Sequence, residues 1–338
     1  MQPKRILVIR TDRIGDVVLT TPALKALRQA FPQAYLSLMV TPTTVDLVKG
    51  NPYIDEILID DRQGIYKGFF GFLQLARLMR SKHFDTAVIY HTKQRYNLAC
   101  FLAGIPLRLG YKNNKGGCFL TMPVKDTRPQ GIKHEAVYCL DLIKSIGVNA
   151  SDLSLFLPQQ HEADQWARDW YQTNVPEGFS LIAIHPGSSD FTRCWDTANY
   201  AALINQIANR FLTKIVFVGA ENNRVLVNQI IPHVKNSVLD LTGKTTVAQT
   251  VALTRRMTIL ISGDSGPVHI AAAVGCLNLC LFLRNAPGIN VERWHPLGSH
   301  STTLTIHPQS ANQTISVEEV MVAIDEMMQK ENQTTFVW

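Results

Sequence analysis

The sequence contains no run of eighteen consecutive apolar residues, the length that a membrane-spanning helix requires. It also lacks an apolar signal segment, because Met-Gln-Pro-Lys-Arg leads directly into a strand-like stretch. We therefore expect a cytoplasmic protein. The six cysteines have no Cys-x-x-Cys spacing and lie largely in apolar surroundings, so reduced core thiols are expected rather than disulfides or a zinc site.

Several motifs of nucleotide-dependent and hydrolytic enzymes are also missing. No strand-like stretch is followed by Gly-x-Gly-x-x-Gly, which weighs against a dinucleotide site. Gly243-Lys244-Thr245 resembles the end of a P-loop, but Val238 stands where the first P-loop glycine belongs. The absence of Gly-x-Ser-x-Gly, His-Glu-x-x-His and Asp-x-Asp weighs against a serine-hydrolase elbow, a zinc-protease helix and a metal-binding transferase motif.

The charge of the 338-residue chain is unevenly distributed. Residues 1–160 contain 21 Lys+Arg against 12 Asp+Glu, whereas residues 161–338 contain 12 against 15. A basic first half favours an anionic partner: nucleic acid, an acidic membrane surface or a phosphorylated substrate. The basic residues are scattered and form no dense tract, so nucleic acid is not expected.

Strand-like apolar stretches alternate with helix patterns along both halves of the chain. This rhythm predicts an α/β fold with parallel sheets covered by helices on both faces. Residues 149–160 (NASDLSLFLPQQ) are the predicted linker between two domains. Residues 104–131 look irregular and combine glycines and prolines with basic side chains, so we expect a functional loop there.

A strand, a polar loop and a helix succeed one another at residues 257–283 (MTILISGDSGPVHIAAAVGCLNLCLFL). We expect Gly263 and Gly266 to take unusual backbone angles, and the N–H groups of the first helical turn to face a phosphate. An ordinary strand-to-helix turn with a Ser or Asp cap is the alternative. Two more polar loops, at residues 185–189 and 219–222, are expected to converge on the same ligand, because ligands bind beyond the carboxyl ends of parallel strands.

The first half opens with a strand at residues 5–10, a loop at 11–16 and a helix from Val17 onwards. Asp16 then lies at the helix N-terminus, where the local dipole stabilises the ionised form of a carboxylate. Such an acid suits a general base and equally suits a helix cap. The residues alone leave both interpretations open.

Two further helices are expected to bury an apolar face. Residues 65–82 combine aromatic with basic side chains; packing in the core is the preferred interpretation, and a membrane surface is the alternative. The last helix, predicted at residues 316–330, begins with a Ser-x-x-Glu capping box. Its apolar face is expected to pack at the interdomain seam, and consists of Val317, Val320, Met321, Ile324, Met327 and Met328.

Three segments together resemble the bacterial lipopolysaccharide heptosyltransferases, the ADP-heptose transferases of glycosyltransferase family 9. They are RTDRIGDVVLTTPAL at 10–24, HPGSS followed by Arg-Cys-Trp at 185–195, and GDSGPVHIAAA at 263–273. The resemblance extends over nearly the whole chain and implies the GT-B architecture, with two Rossmann-like doubly wound domains facing across a cleft. It implies an acceptor-binding domain at 1–155, a nucleotide-sugar-binding domain at 156–315, and the C-terminal helix, 316–338, at the seam.

The resemblance also implies an activity, the inverting transfer of heptose from ADP-heptose to the inner core of lipopolysaccharide. Asp16 would be the general base, and no metal or other cofactor would be needed. The donor and its phosphates would be bound by Ser188, Ser189, Arg193, Glu221, Asp264, Ser265, Gly266 and His269.

Several of these assignments have alternatives. Arg193 also fits a surface salt bridge, and His269 also fits a helix residue with a purely structural hydrogen bond. The spacing allows Asn222 or Asn223 to take the place of Glu221 at the ribose.

Acceptor contacts are expected from the basic first half, with Arg13, Arg62, Lys93, Arg95 and His134 as candidates. The implied partners are ADP-heptose, a phosphorylated lipid A core that bears Kdo or heptose, and the cytoplasmic face of the inner membrane as a peripheral surface. One alternative function is another GT-B sugar-nucleotide enzyme, with a different donor or as an epimerase. The other is a hinge-type sugar receptor, against which the missing export signal argues.

Overall fold

The computed structural model describes residues 3–91, 93–112, 116–188, 194–305 and 314–334. The chain divides into two compact units, Met1–Pro158 and Gln159–Trp338. Each unit contains a six-stranded sheet, and every strand pair in both sheets is parallel. The predicted α/β fold class is confirmed.

The first unit has the strand order β3-β2-β1-β4-β5-β6. Its strands are β1 (Arg5–Ile9), β2 (Tyr35–Val40), β3 (Glu56–Ile59), β4 (Thr86–Ile89), β5 (Leu107–Lys112) and β6 (Met122–Lys125). Its helices within the described residues are α1 (Ile14–Ala30), α2 (Gly68–Ser81), α3 (Gln94–Leu102) and α4 (Glu135–Lys144). The order reverses between β1 and β4, which is the switch point at which doubly wound sheets bind ligands.

Both faces of this first sheet are buried, because its strands are apolar at successive positions. Leu7 and Ile9 pack in a cluster with Leu75 and Met79 of α2. Ile6 and Val8 point to the opposite face and are equally buried. Helices on both faces leave the carboxyl edge of the strands as the free side of the sheet.

The second unit repeats this design with the strand order β12-β11-β10-β7-β8-β9. Its strands are β7 (Ser180–His185), β8 (Thr213–Phe217), β9 (Leu239–Asp240), β10 (Ile259–Gly263), β11 (Leu277–Phe282) and β12 (Ser301–Thr305). Its described helices are α5 (His161–Asn174), α6 (Thr197–Arg210), α7 (Arg224–Ile230), α8 (Val247–Thr254), α9 (Gly266–Val274), α10 (Val291–Trp294) and α11 (Val317–Thr334). Its switch point lies between β7 and β10.

The C-terminal helix α11 belongs to the core of this second unit. Its apolar residues, among them Val320 and Ile324, pack with Ile182 and Ile184 of β7 and Tyr200 of α6. The sequence predicted this face at the interdomain seam, whereas the structure places it in the second unit's own core. The apolar spacing shows that the helix has a hydrophobic neighbour but does not say which one.

Two segments, predicted as an irregular loop and as an interdomain linker, contain ordered structure of the first unit. Residues 104–131, predicted as a loop, contain β5 and β6. The boundary between the units, after Pro158, falls within the predicted linker. The part before it is fixed to the first unit by the amide of Phe156, which donates to Oγ1 of Thr21 at 3.1 Å, and by an edge-on contact between the rings of Phe156 and Tyr53. Lys25 of α1 also lies 2.7 Å from the carboxylate of Asp152.

Core packing of the aromatic helix α2 is only partly confirmed. Leu75, Ala76 and Met79 are buried as expected. Phe69 and Phe70, however, are 68% and 83% exposed. In the described part of the chain, we find no helix that combines the length and the apolar character needed to cross a membrane.

Candidate functional site

The first candidate site forms where β1 ends and α1 begins, at the switch point of the first sheet. The helix begins at Ile14, earlier than predicted, so Asp16 lies in its first turn rather than at the end of a loop. The strand is followed by Arg10, whose side chain is only 2% exposed. A buried guanidinium requires carboxylate partners, and this site provides them.

Arg10 connects Asp16 to a second buried acid. Its Nη2 atom donates to Oδ1 of Asp16 at 2.7 Å and to Oε1 of Glu135 at 2.8 Å. Its Nε atom donates to the backbone oxygen of Asp16 at 3.2 Å. The other carboxylate oxygen of Asp16, Oδ2, accepts a longer hydrogen bond of 3.3 Å from the amide of Arg13, so Asp16 does cap its helix.

The pKa of Asp16 is raised from 3.8 to about 6. Burial is the largest cause, and the charges of Asp12 and Glu135 act in the same direction. Arg10 and the amide of Arg13 oppose the rise by stabilising the carboxylate. The expectation that the helix dipole would favour the ionised form is therefore wrong in its net direction, because desolvation outweighs the dipole. The side chain is nevertheless 18% exposed and accessible to a substrate.

A histidine that follows β4 completes this cluster. His91 Nε2 lies 3.0 Å from Oδ1 of Asp12. Burial lowers the pKa of His91 to about 4, although Asp12 opposes the change. The imidazole is therefore neutral at physiological pH, and its contact with Asp12 is not an ion pair.

Two of the predicted acceptor residues share one buried carboxylate at the end of β3. Arg95 Nη2 donates to Oδ1 of Asp60 at 3.3 Å, and Arg62 Nε lies 3.8 Å from Oδ2 of the same side chain. Arg62 Nη2 also donates to the backbone oxygen of Thr11 at 3.2 Å. Both arginines are thus brought to the edge that carries Asp16, with their positive charges partly balanced.

The other three acceptor candidates differ in accessibility. Arg13 and Lys93 are exposed at the N-caps of α1 and α3. His134 is buried, and its Nδ1 atom accepts a hydrogen bond from the amide of Ala136 at 3.2 Å as the N-cap of α4. Arg13 and Lys93 are therefore better placed than His134 to meet an anionic ligand.

The second candidate site lies at the switch point of the second sheet, between the ends of β7 and β10. The Nδ1 atom of His185 lies 2.9 Å from Oγ of Ser262 and 3.2 Å from Oγ of Ser265. Burial lowers the pKa of His185 to about 4, although a hydrogen bond with Asn223 opposes the change. The cluster is therefore uncharged at neutral pH.

Asn223 brings the third loop to this cluster. Its Oδ1 atom accepts from the amide of Ala220 at 3.1 Å, and its side chain is buried. A Cβ atom added at Gly187 would lie 1.9 Å from Nδ2 of Asn223, and one added at Gly219 would lie 2.5 Å from Oδ1. The loops after β7, β8 and β10 therefore meet as predicted, and two glycines make the close approach feasible.

The helix that follows β10 begins as the sequence predicts, but without unusual backbone angles. Gly263 is the last residue of β10 and Gly266 the first of α9, so the expectation of such angles is wrong. Ser265, Gly266 and Pro267 are half-buried at the helix N-terminus. The N–H groups of a first helical turn have no partner within the helix, which suits an anion.

The remaining predicted donor residues occupy varied positions. Ser188 and His269 are buried, and Asp264 is buried in an ion pair with Arg284. Glu221 is 68% exposed and forms a two-point ion pair with Arg224 through Nε at 2.6 Å and Nη2 at 2.9 Å. Ser189 and Arg193 lie outside the described residues. Within the described ranges, no three His, Cys, Asp or Glu side chains converge in a way that would hold a metal ion.

The sequence model of glycosyltransferase family 9 (heptosyltransferase) matches residues 72–321. The chain belongs to glycosyltransferase family 9. Family 9 enzymes are transferases, so this assignment decides against the hinge-type sugar receptor.

Named relatives agree with family 9. The lipopolysaccharide core heptosyltransferase OpsX of Haemophilus influenzae is 25% identical over 86% of this chain and 83% of its own length. The solved family 9 glycosyl transferase of Veillonella parvula has a TM-score of 0.87 at 22% identity, over 97% of this chain and 98% of that one. The ADP-heptose lipopolysaccharide heptosyltransferase II of Escherichia coli has a TM-score of 0.80 at 18% identity, over 97% and 99%. The GT-B fold is thereby confirmed.

Sequence reasoning missed two residues of this family 9 chain, Arg10 and Glu135, that hold the first candidate site together. The sequence predicts Arg10 only as the last residue of a strand, and it indicates no role for Glu135. A charged residue at the end of an apolar strand was the available signal, because such a charge needs a partner. The partner of Arg10, Glu135, is 125 positions away in sequence and only the fold brings them together.

Proposed function

We propose that this protein transfers heptose from ADP-heptose to a sugar of the lipopolysaccharide inner core, with inversion at the anomeric carbon. Membership of family 9 and the names of its relatives support the donor and the acceptor class. The observation that carries the mechanism is the position of Asp16. It lies at the ligand-binding edge of the first sheet, it is partly accessible, and its pKa is raised to about 6.

Asp16 acts in this proposal as the general base. Arg10 holds Oδ1 at 2.7 Å, whereas Oδ2 accepts, among the residues that the structure describes, only the 3.3 Å bond from the amide of Arg13 and keeps lone pairs for a substrate. Oδ2 takes the proton of the acceptor hydroxyl, and the oxygen of that hydroxyl attacks the anomeric carbon of heptose. With a pKa of about 6, Asp16 is a stronger base than an aspartate of pKa 3.8 and is still mostly ionised at neutral pH.

The bond between the anomeric carbon and the diphosphate oxygen breaks as the new glycosidic bond forms. The departing ADP gains negative charge at its terminal phosphate. We assign its stabilisation to the N–H groups at the start of α9, with Ser265 and Ser188 as hydrogen-bond donors and Arg193 as the cation. These fixed dipoles and the cation supply what a metal ion would otherwise supply, so the proposal includes no resident cofactor.

The acceptor in this proposal is a phosphorylated lipid A core that bears Kdo or heptose. Its phosphates would be met by exposed Arg13 and Lys93, with Arg62 and Arg95 behind them at the same edge. An acceptor of this kind is anchored in a bilayer. We therefore propose that the enzyme works as a peripheral protein on the cytoplasmic face of the inner membrane.

The test is a transfer assay with ADP-heptose and defined truncated core lipids. Asp16→Asn keeps the shape of the side chain but removes the base, so we expect transfer to fall by a factor of about 100 to 10,000. The dissociation constant for ADP-heptose should stay within twofold of wild type, measured by calorimetry.

Asp12→Asn is the matched control, because Asp12 is a second half-buried acid in the same turn of chain. This variant should retain transfer at pH 8. Full activity in Asp16→Asn, with loss in Asp12→Asn, would move the base from Asp16 to Asp12. Turnover of ADP-heptose without any acceptor would favour an epimerase instead.

A further inference from the structure

Three large apolar side chains are exposed in the first turn of α2 and in the segment just before it. Ile65 is 65% exposed, Phe69 68% and Phe70 83%. The rings of Phe69 and Phe70 contact each other edge-on, with centroids 5.8 Å apart. Grouped exposed aromatic residues are rare on a surface that meets only water, so this group calls for a covering partner.

The same segment is basic and contains no acid. Residues 63–83 include four Lys or Arg and no Asp or Glu. Lys82 pairs with Glu56, whereas Lys67, Arg77 and Arg80 are exposed, and none of these three has an ion-pair partner in the part of the chain that the structure describes. Phe70 and Arg77 are seven positions apart and share one face of the helix, about 10 Å from each other along its axis.

The exposed rings are presented by a rigid turn. The amide of Tyr66 donates to the backbone oxygen of Asp61 at 2.9 Å. The backbone oxygen of Tyr66 accepts a hydrogen bond from Arg95 Nη2 at 3.0 Å. A Cβ atom at Gly71 would lie 2.4 Å from the carbonyl carbon of Tyr66, so helix and turn are in tight contact. Phe69 and Phe70 are therefore held outward by the fold.

This turn is also connected to the edge that carries Asp16. Arg95 donates both to the backbone oxygen of Tyr66 and to the carboxylate of Asp60 at the end of β3. Arg62 joins Asp60 to the backbone oxygen of Thr11 in the loop before α1. Anything that covers the rings is thus brought to the acceptor side of the candidate active site.

We propose that Ile65, Lys67, Phe69, Phe70, Arg77 and Arg80 form a membrane-docking surface for an anionic lipid bilayer. The rings enter the boundary between headgroups and acyl chains, and the three cations lie on anionic headgroups. These six side chains are all cationic or apolar, so the surface complements such a bilayer in both charge and polarity. The inference rests on the proposed function in one respect, the lipid-anchored acceptor, and gives it a surface.

Vesicle binding by the full-length protein, without any substrate, tests the docking surface. Wild type should sediment with vesicles of phosphatidylcholine and phosphatidylglycerol, and more weakly with phosphatidylcholine alone. Phe69→Ser/Phe70→Ser should weaken binding at least tenfold. Lys67→Gln/Arg77→Gln/Arg80→Gln should remove the preference for anionic vesicles and its salt dependence.

The matched control replaces two exposed apolar residues of the second unit. Leu212 and Val225 are 63% and 59% exposed, and Leu212→Ser/Val225→Ser should bind vesicles as wild type does. The replaced side chains are on the surface, so all three variants should keep the wild-type circular dichroism spectrum and melting temperature.

Transfer kinetics separate this surface from the proposed reaction. Phe69→Ser/Phe70→Ser should match wild type on a deacylated, water-soluble acceptor, and should show an approximately tenfold higher KM with unchanged kcat on an acceptor embedded in vesicles. No transfer to either acceptor by wild type would refute the proposed function, while vesicle binding would still decide the docking surface.

Two results would overturn the docking surface. One is equal vesicle binding by wild type and Phe69→Ser/Phe70→Ser. The other is no vesicle binding by wild type together with self-association that the same substitutions abolish, which would assign the rings to a second copy of the chain.

Discussion

A single nitrogen of Arg10, Nη2, donates to Asp16 at 2.7 Å and at the same time to Glu135 at 2.8 Å. The proposed base is therefore electrostatically coupled to an acid on another helix. Asp16 is drawn toward ionisation by Arg10 and away from it by Glu135, Asp12 and burial. Changing either partner of this cluster should move the pH dependence of transfer in a direction that the charges fix.

Removing the charge of Glu135 should lower the pKa of Asp16. Glu135→Gln keeps an oxygen that accepts from Arg10 but no longer repels the Asp16 carboxylate. The acid limb of kcat/KM, which in wild type should lie near pH 6, should then shift to lower pH. Steady-state kinetics between pH 4.5 and 8.5 measure the shift. Glu177→Gln, at an exposed position of the second unit, is the control, and an unchanged limb in Glu135→Gln would separate Glu135 from the base.

Removing the charge of Arg10 should have the opposite effect. In Arg10→Met the cation that lowers the pKa of Asp16 is gone, so the acid limb should shift above pH 6 and activity should partly recover at pH 8. Glu135, 2% exposed, also loses its ion pair with Arg10, so the free energy of unfolding should fall by about 3 kcal/mol. Denaturant titration and the pH profile check the two effects, and a downward shift would contradict the assignment.

The neutral His185 should make stability depend on pH. Its pKa is about 4 in the folded protein and 6.5 in an ordinary setting, so between these values the unfolded chain binds the additional proton. The contribution of His185 to the free energy of unfolding is fully present above pH 6.5 and falls as the pH drops toward 4. Between pH 7 and pH 5 the loss is about 2 kcal/mol.

His185→Gln should remove that part of the pH dependence, as measured by denaturant unfolding at the two pH values. The difference between the unfolding free energies at pH 7 and pH 5 is informative even if the substitution lowers stability at both pH values. His161→Gln, at an exposed position of α5, controls for the loss of an imidazole. If the unfolding free energy of His185→Gln fell as much between pH 7 and pH 5 as that of wild type, other groups would be the cause of the pH dependence.

The close approach of Gly187 to Asn223 should be needed for ADP binding. The Cβ of Gly187→Ala would lie 1.9 Å from Nδ2 of Asn223, so the loop after β7 must move. We expect stability to fall by about 1–3 kcal/mol and ADP affinity to fall about tenfold. Calorimetric titration with ADP measures the second effect.

Gly275→Ala provides the contrast in the same unit. Gly275 has φ +76° with no atom within 4 Å of an added Cβ, so its replacement costs about 1 kcal/mol through the backbone alone. Its ADP affinity should equal that of wild type. Wild-type affinity in Gly187→Ala would remove this loop from the donor site.

The sequence predicted the strands that are apolar and fully buried. β1, β4, β7 and β10 were predicted from such runs, and with them both switch points. β5, β6 and β12 were missed. β6 and β12 each lie at an edge of their sheet, are short and carry polar residues. β5 lies inside its sheet, but Arg108, Gly110 and Lys112 interrupt its apolar residues. Pattern reasoning weights continuous apolar runs, which edge strands do not need.

The candidate sites were predicted through their loops rather than through their networks. Asp16 and Ser265 stand at strand-to-helix junctions that a motif reveals. Glu135 and Asn223 act through contacts across the fold, and the raised pKa of Asp16 arises from burial that only tertiary structure creates. The spacing of residues along the sequence predicts neither these long-range contacts nor the raised pKa.

The stretch before Pro158, part of the predicted linker, is attached to the first unit, because the amide of Phe156 donates to Thr21 and the carboxylate of Asp152 pairs with Lys25. A gene fragment for the first unit that stopped at residue 149 would expose the flank of α1 and leave the Thr21 hydroxyl without the amide it receives. Exchanging the first unit between relatives should therefore be done at the junction after Pro158, so that the unit keeps the segment that is attached to its own α1.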